Sequence, residues 1–110
     1  MTNHAHDPEF ADRVRASFAK QHAMDLIHAT LPVVEPGLTE IHLPHWTGVE
    51  QQHGFVHGGV VGMIADSAAG YAAMTMVPAS ASVLTVEFKM NLMAPADGEK
   101  LIARGEVLRS

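Results

Sequence analysis

The run GVVGMIADSAAGYAAMTM, Gly59 to Met76, constrains the fold of this chain more than any other segment. Val60, Ile64, Ala68, Ala72 and Met76 fall on one i+4 row, and Val61, Ala65, Ala69 and Ala73 on the next. That spacing predicts a helix over about residues 59–76, ended by Pro78. A helix apolar over so much of its circumference is expected to be buried. With 110 residues in all, the chain should form one domain, 1–110, whose other elements wrap this helix.

The wrapping elements are legible on both sides. Residues 8–28 place Phe10, Val14 and Phe18 four apart among charges, which predicts an amphipathic N-terminal helix opened by Pro8. Two short β-like runs flank Glu35-Pro36-Gly37, and Ile41 and Leu43 alternate with Glu40 and His42, so a hairpin is expected there. Pro32 and Pro44 suit an edge strand or a strand end. After the central helix, Leu84, Val86, Phe88, Met90 and Leu92 alternate with Thr85, Glu87, Lys89 and Asn91 in a long half-buried strand. Asp97-Gly98 signals a turn, and EKLIARGEVLRS reads as the returning strand. The order suits an α+β fold, an antiparallel sheet curled around a central helix.

Composition narrows the function. A net charge of −5 opposes a general nucleic-acid binder, and the scattered lysines and arginines form no basic membrane patch. The absence of cysteine removes disulfides, thiolate metal sites and cysteine nucleophiles. The run Phe55–Leu84 is too interrupted by Asp66, glycines and Pro78 for a membrane span. MTNHAHDPEF lacks the basic-then-apolar pattern of a secretory leader, so a cytoplasmic location is expected.

The chemistry concentrates around Asp66. Gly58 and Gly59 follow His57 at the expected helix start, where the first N–H groups lack internal partners and negative charge is favoured. Without a Cβ in the way, a ligand carbonyl can approach those groups, as an oxyanion of acyl transfer would. Asp66 lies two turns on, with Gly62 and Gly70 one turn to either side. Two readings stand. Asp66 is a solvent-facing residue on the polar edge of the helix, or it is a sheltered base or nucleophile over a strip kept bare for a close-approaching molecule. The second accounts for two interior glycines that each cost roughly 1 kcal/mol against alanine.

The stretch GFVHGGVVGMIADSAAGYAA, followed by VLTVEFKMNLMAPADGEKLIARGEV, resembles the hotdog-fold acyl-CoA thioesterases of the PaaI type, the phenylacetate-pathway group. The likeness runs from about Phe18 to the end of the chain. It implies a hotdog fold and hydrolysis of an aromatic or medium-chain acyl-CoA, with no cofactor beyond the coenzyme A of the substrate. By position, Gly58 matches the glycine whose N–H polarises the thioester carbonyl, Asp66 the catalytic acid, and Gln51 an Asn/Gln position that places water and carbonyl. His57 would shape the loop by hydrogen bonding. The resemblance also implies a homodimer or homotetramer, with the loop of one subunit facing the acid of another. Two departures stand out. His28 occupies a position commonly held by glycine, and the sequence stops at Ser110 where relatives continue with roughly two more strands. Either the sequence is a fragment or the sheet is completed some other way; if the strands are absent, an open sheet edge is expected to associate or destabilise the fold.

The remaining candidates are weaker. Gly59 completes the carbonyl-binding turn, and Met63 with other methionines suits an adaptable acyl pocket, though core packing is their commoner use. Lys89, Arg104 and Arg109 could meet coenzyme phosphates, though each is more often surface charge. Eight histidines raise a metal hypothesis, but His42/His45 and His53/His57 lack a completing cluster, so no metal is expected. On the same fold, a non-hydrolytic acyl-CoA or aromatic-ligand binder and an enoyl thioester hydratase are the alternatives; the His-Phe-Pro-Gly signature of the latter is missing.

Overall fold

A computed structural model describes residues 9–76, 85–93 and 99–109, with 85–93 and 109 described by their backbone. Helix α1 (Phe10–Ala19) and the short α2 (His22–Leu26) precede strands β1 (Thr30–Glu35) and β2 (Leu38–Pro44). A 3₁₀ turn (Thr47–Val49) leads to α3 (Gly58–Met74), then β3 (Thr85–Met93) and β4 (Lys100–Arg109). The four strands form one antiparallel sheet in the order β1-β2-β4-β3, and α3 packs across β4, β2 and β3. This is the expected α+β hotdog arrangement, a sheet curled on a central helix.

The single helix expected over 8–28 is two helices. Gln21 leaves helical geometry, with φ −83° and ψ 89°, and the chain restarts at His22. Tertiary contacts account for the break. The Gln21 amide donates to the Tyr71 hydroxyl at 2.6 Å, Phe18 meets the Tyr71 ring edge-on, and Met24 becomes buried. The expected central helix is present within two residues at either end. The two hairpins are also present: Val34 pairs with Thr39 around the Pro36-Gly37 turn, where Gly37 takes a positive φ of 76°, and Met90 pairs with Ala103. Pro32 sits in β1, an edge strand whose register is irregular between Thr30 and Val33, where a missing N–H costs least. The Pro78 stop and the Asp97-Gly98 turn lie outside the described residues.

Alternation puts Thr39, Ile41 and Leu43 of β2, and Ala103, Gly105 and Val107 of β4, on the buried face against α3. Ile64 and Ala68 from α3 join Val14, Met24, Ile41, Leu43 and Ala103 in the main core. The helix and sheet nearly touch at one point. A Cβ on Gly105 would lie 2.1 Å from the Ala68 carbonyl oxygen, and the neighbouring Thr39 hydroxyl donates to that oxygen at 2.7 Å. Buried Thr75 fastens the C-terminal end of α3: its hydroxyl donates to the Ala72 carbonyl and accepts the Gly37 N–H, each at 2.7 Å. Together these contacts fix which face of α3 turns inward and which turns out.

Candidate active site

The outward face of α3 carries the residues singled out by sequence. Gly58, Gly62, Asp66 and Gly70 follow one another at four-residue spacing, and all four are exposed. The expectation of a helix enclosed on most sides therefore gives way to one with a buried face and an open one. Among the described residues, a Cβ at Gly58, Gly62 or Gly70 would meet nothing within 4 Å. Packing among the described residues thus does not require glycine at these three positions. Asp66 stands on this bare strip, and among the described residues no cation or donor pairs with its carboxylate.

The loop ahead of α3 is a closed turn. Glu50 bridges Val56, Gln51 N–H donates to the Phe55 carbonyl at 2.8 Å, and His57 N–H donates to the Val49 carbonyl at 2.8 Å. His57 caps the helix: its backbone is extended, and its Nδ1 accepts the Gly59 N–H at 2.8 Å. An accepting Nδ1 leaves Nε2 as the protonated nitrogen of the neutral ring. The Gly59 N–H, expected to meet a ligand carbonyl, is consumed by this cap. The Gly58 N–H has no partner among the described residues and points out from the positive end of a 17-residue helix. Gln51 turns its side-chain oxygen back to the His53 N–H, which leaves its amide NH₂ as the group able to meet a bound molecule.

Beside Asp66 an open depression of about 310 Å³ is lined by Gln21, Ser67, Gly70, Tyr71 and Met74. The Tyr71 hydroxyl is held between Gln21 Nε2 at 2.6 Å and Ser17 Oγ at 3.1 Å. This wall was missed in sequence because its parts come from residues 17, 21 and 71, which no local spacing connects. Met63 packs against the main core. Arg104 sits on the sheet face turned away from α3, opposite Glu40 on β2 and opposite Lys89 on β3. The structure therefore gathers Gln51, His57, Gly58 and Gly59 at one end of α3 and Asp66 farther along it. Arg104 and the backbone of Lys89 are not brought to Asp66 within one chain; the Lys89 and Arg109 side chains lie outside what is described. Among the described residues, no helix is long and apolar enough to cross a membrane.

Comparisons with known proteins agree with this architecture. A family model described as the thioesterase superfamily matches residues 53–110, more than half of the chain. The fold is similar to the crystal structure of a thioesterase family protein from Silicibacter pomeroyi, with a TM-score of 0.70 and 44% sequence identity. That likeness covers 90% of this chain and 73% of the other. No curated protein matches the chain.

Proposed function

The chain belongs to the thioesterase superfamily, and from that premise we propose that it hydrolyses an acyl-CoA thioester to the free acid and coenzyme A. The observation that carries this reading is the pairing of an unpartnered Gly58 N–H at a helix start with a carboxylate on the same bare strip. The Gly58 N–H stabilises the oxyanion that forms as the carbonyl is attacked. Asp66 either takes a proton from water, so that hydroxide adds to the carbonyl carbon, or adds to that carbon itself and forms an anhydride that water then opens. Collapse of the tetrahedral intermediate expels the thiolate, which is protonated to the free thiol. The Gln51 amide positions the water or the carbonyl, and His57 keeps the turn in shape through Gly59. The reaction calls for no cofactor or metal beyond the coenzyme carried by the substrate.

The resemblance implies a site shared between two copies, and helix geometry supports that reading. Eight residues separate Gly58 from Asp66, about 12 Å along the axis at 1.5 Å per residue. One carbonyl must lie about 3 Å from both its oxyanion donor and its attacking group. One helix does not bring the two groups that close, which supports a site in which the Gly58 end of one subunit serves the Asp66 of another in a homodimer or larger assembly. The depression beside Asp66 takes the acyl group, aromatic or of medium length. The adjacent ladder positions of Lys89 and Arg104 supply cations for coenzyme phosphates.

The test is thiol release from a panel of aromatic and aliphatic acyl-CoAs by the wild type and by Asp66→Asn. A chain without cysteine adds no thiol of its own. Release that disappears in the variant, with its unfolding transition unchanged, supports the reading. Full release by Asp66→Asn removes Asp66 from the mechanism. Acyl-CoA binding without release by the wild type replaces hydrolysis with a binding function.

A further inference from the structure

His45 follows β2 and lies outside the machinery assigned above, yet among the described residues each of its ring nitrogens faces only acceptors. Nδ1 is 2.9 Å from a Glu99 carboxylate oxygen, and Nε2 is 2.8 Å from a Glu50 carboxylate oxygen and 3.0 Å from the Gly54 carbonyl. A neutral imidazole has one N–H and one lone pair, so it can satisfy one side only. Donation from both nitrogens requires the imidazolium. The three partners come from two places: Glu99 immediately precedes β4, whereas Glu50 and Gly54 belong to the closed turn that contains Gln51 and ends at Gly58. The depression beside the ring is otherwise lined by the apolar Phe55, Val56, Val61 and Leu101, and among the described residues Glu99 and Glu50 are the titratable groups bonded to it.

We propose that His45, as an imidazolium, is a positioning residue that clasps the Gln51–Gly58 turn to the start of β4. The main chain aims the ring, since His45 N–H donates to the Glu99 carbonyl at 3.0 Å, and Glu99 holds Nδ1 while Nε2 grips Glu50 and the Gly54 carbonyl. Loss of one proton sets a lone pair against a carboxylate, so either the aim or the grip is lost. The Glu99 carboxylate first, and then Glu50 and the Gly54 carbonyl, hold the ring's pKa above the ordinary 6.5 despite the opposing effect of burial. The sign follows: for a group whose folded pKa is raised, the clasp is complete below 6.5 and is lost as pH rises through the raised value.

This inference rests on the reading of Gly58 as the carbonyl donor, but its test does not depend on turnover. The His45 ring and the Gly54 and Gly58 amides are followed by NMR across a pH titration of the whole chain. The expected result is a ring midpoint above 6.5, both amides moving with that midpoint, and a lower midpoint in Glu99→Gln. In His45→Gln the amides no longer titrate together. A ring midpoint at or below 6.5, or amides indifferent to it, overturns the clasp. For catalysis, thioester turnover corrected for spontaneous hydrolysis is expected to fall as the ring deprotonates, by up to about a hundredfold, the scale of a misplacement of about 1 Å. The His45→Gln profile lacks that fall. A wild-type rate constant through the ring's titration overturns the positioning role. If no acyl-CoA is hydrolysed at any pH, the proposed reaction fails while the amide titration still decides the clasp.

Discussion

At the residue scale, His28 and Gly58 show how backbone geometry sets what each position can carry. His28 takes a φ of 67°, a left-handed conformation that is free to glycine and uncommon for residues with a side chain, at the end of α2. Its ring stacks on Trp46 with centroids 4.0 Å apart and planes 7° from parallel, while Trp46 Nε1 donates to the Ile27 carbonyl at 2.9 Å. The commonly glycine position noted in the sequence is therefore one that demands positive φ, and stacking offsets the strain of filling it with histidine. His28→Ala keeps the strain and loses the stack, whereas His28→Gly loses both. The glycine variant is expected to be more stable than the alanine variant by about 1 kcal/mol, measured by urea unfolding. Gly58 offers a cleaner test of catalysis. Proline is well tolerated at the first position of a helix and lacks the N–H, and the preceding His57, at φ −61° and ψ 133°, already has the extended backbone that a following proline favours. Gly58→Pro is expected to lower kcat by about 10²–10³-fold, with helix content by circular dichroism unchanged.

At the scale of elements, the seam between α3 and the sheet decides how Asp66 is presented. Gly105 is the point of closest approach, and the Ala68 backbone opposite it cannot give way as a flexible side chain would. Gly105→Ala is expected to destabilise by about 3 kcal/mol or to rotate α3, which two-dimensional NMR would reveal as shifts along the whole helix. No local spacing singles out this glycine, because the backbone it meets, at Ala68, is distant in sequence. Thr75 acts at the other end of α3. Thr75→Val leaves the Gly37 N–H buried without an acceptor, so a loss of about 1–3 kcal/mol is expected in denaturant unfolding. These elements also explain why the N-terminal helix breaks. An amphipathic pattern continuing past residue 20 predicted one helix, but a hydrogen bond from Gln21 to Tyr71, fifty residues away, favours a kink there.

At the scale of the whole molecule, the 12 Å between the two ends of the candidate machinery leads to a prediction about assembly. On the proposed shared site, Gly58→Pro and Asp66→Asn proteins, each strongly impaired alone, should regain activity when their subunits are exchanged, because each mixed interface contains one intact pair. No recovery after exchange verified by mass spectrometry would mean that donor and acid act from one chain. The sequence by itself determined most of the elements: the i+4 rows made α3 a helix, alternation made β2 and β3 strands, Pro36-Gly37 made a hairpin, and the Asp97-Gly98 signal made β4 the returning strand. These are local properties, set by the period of apolar residues and by turn chemistry within a few positions. It also brought out Gly58 and Asp66 as candidates, since a glycine pair at a helix start and an acid between two interior glycines are recognisable without a fold. Only the tertiary structure decided that Gly59 is consumed by the His57 cap, that the strip around Asp66 faces outward, that Arg104 lies across the sheet from it, and that His45 bridges Glu99 to the turn. Those outcomes depend on which distant surfaces meet, and contacts between residues 45 and 99 or 21 and 71 leave no periodic trace along the chain.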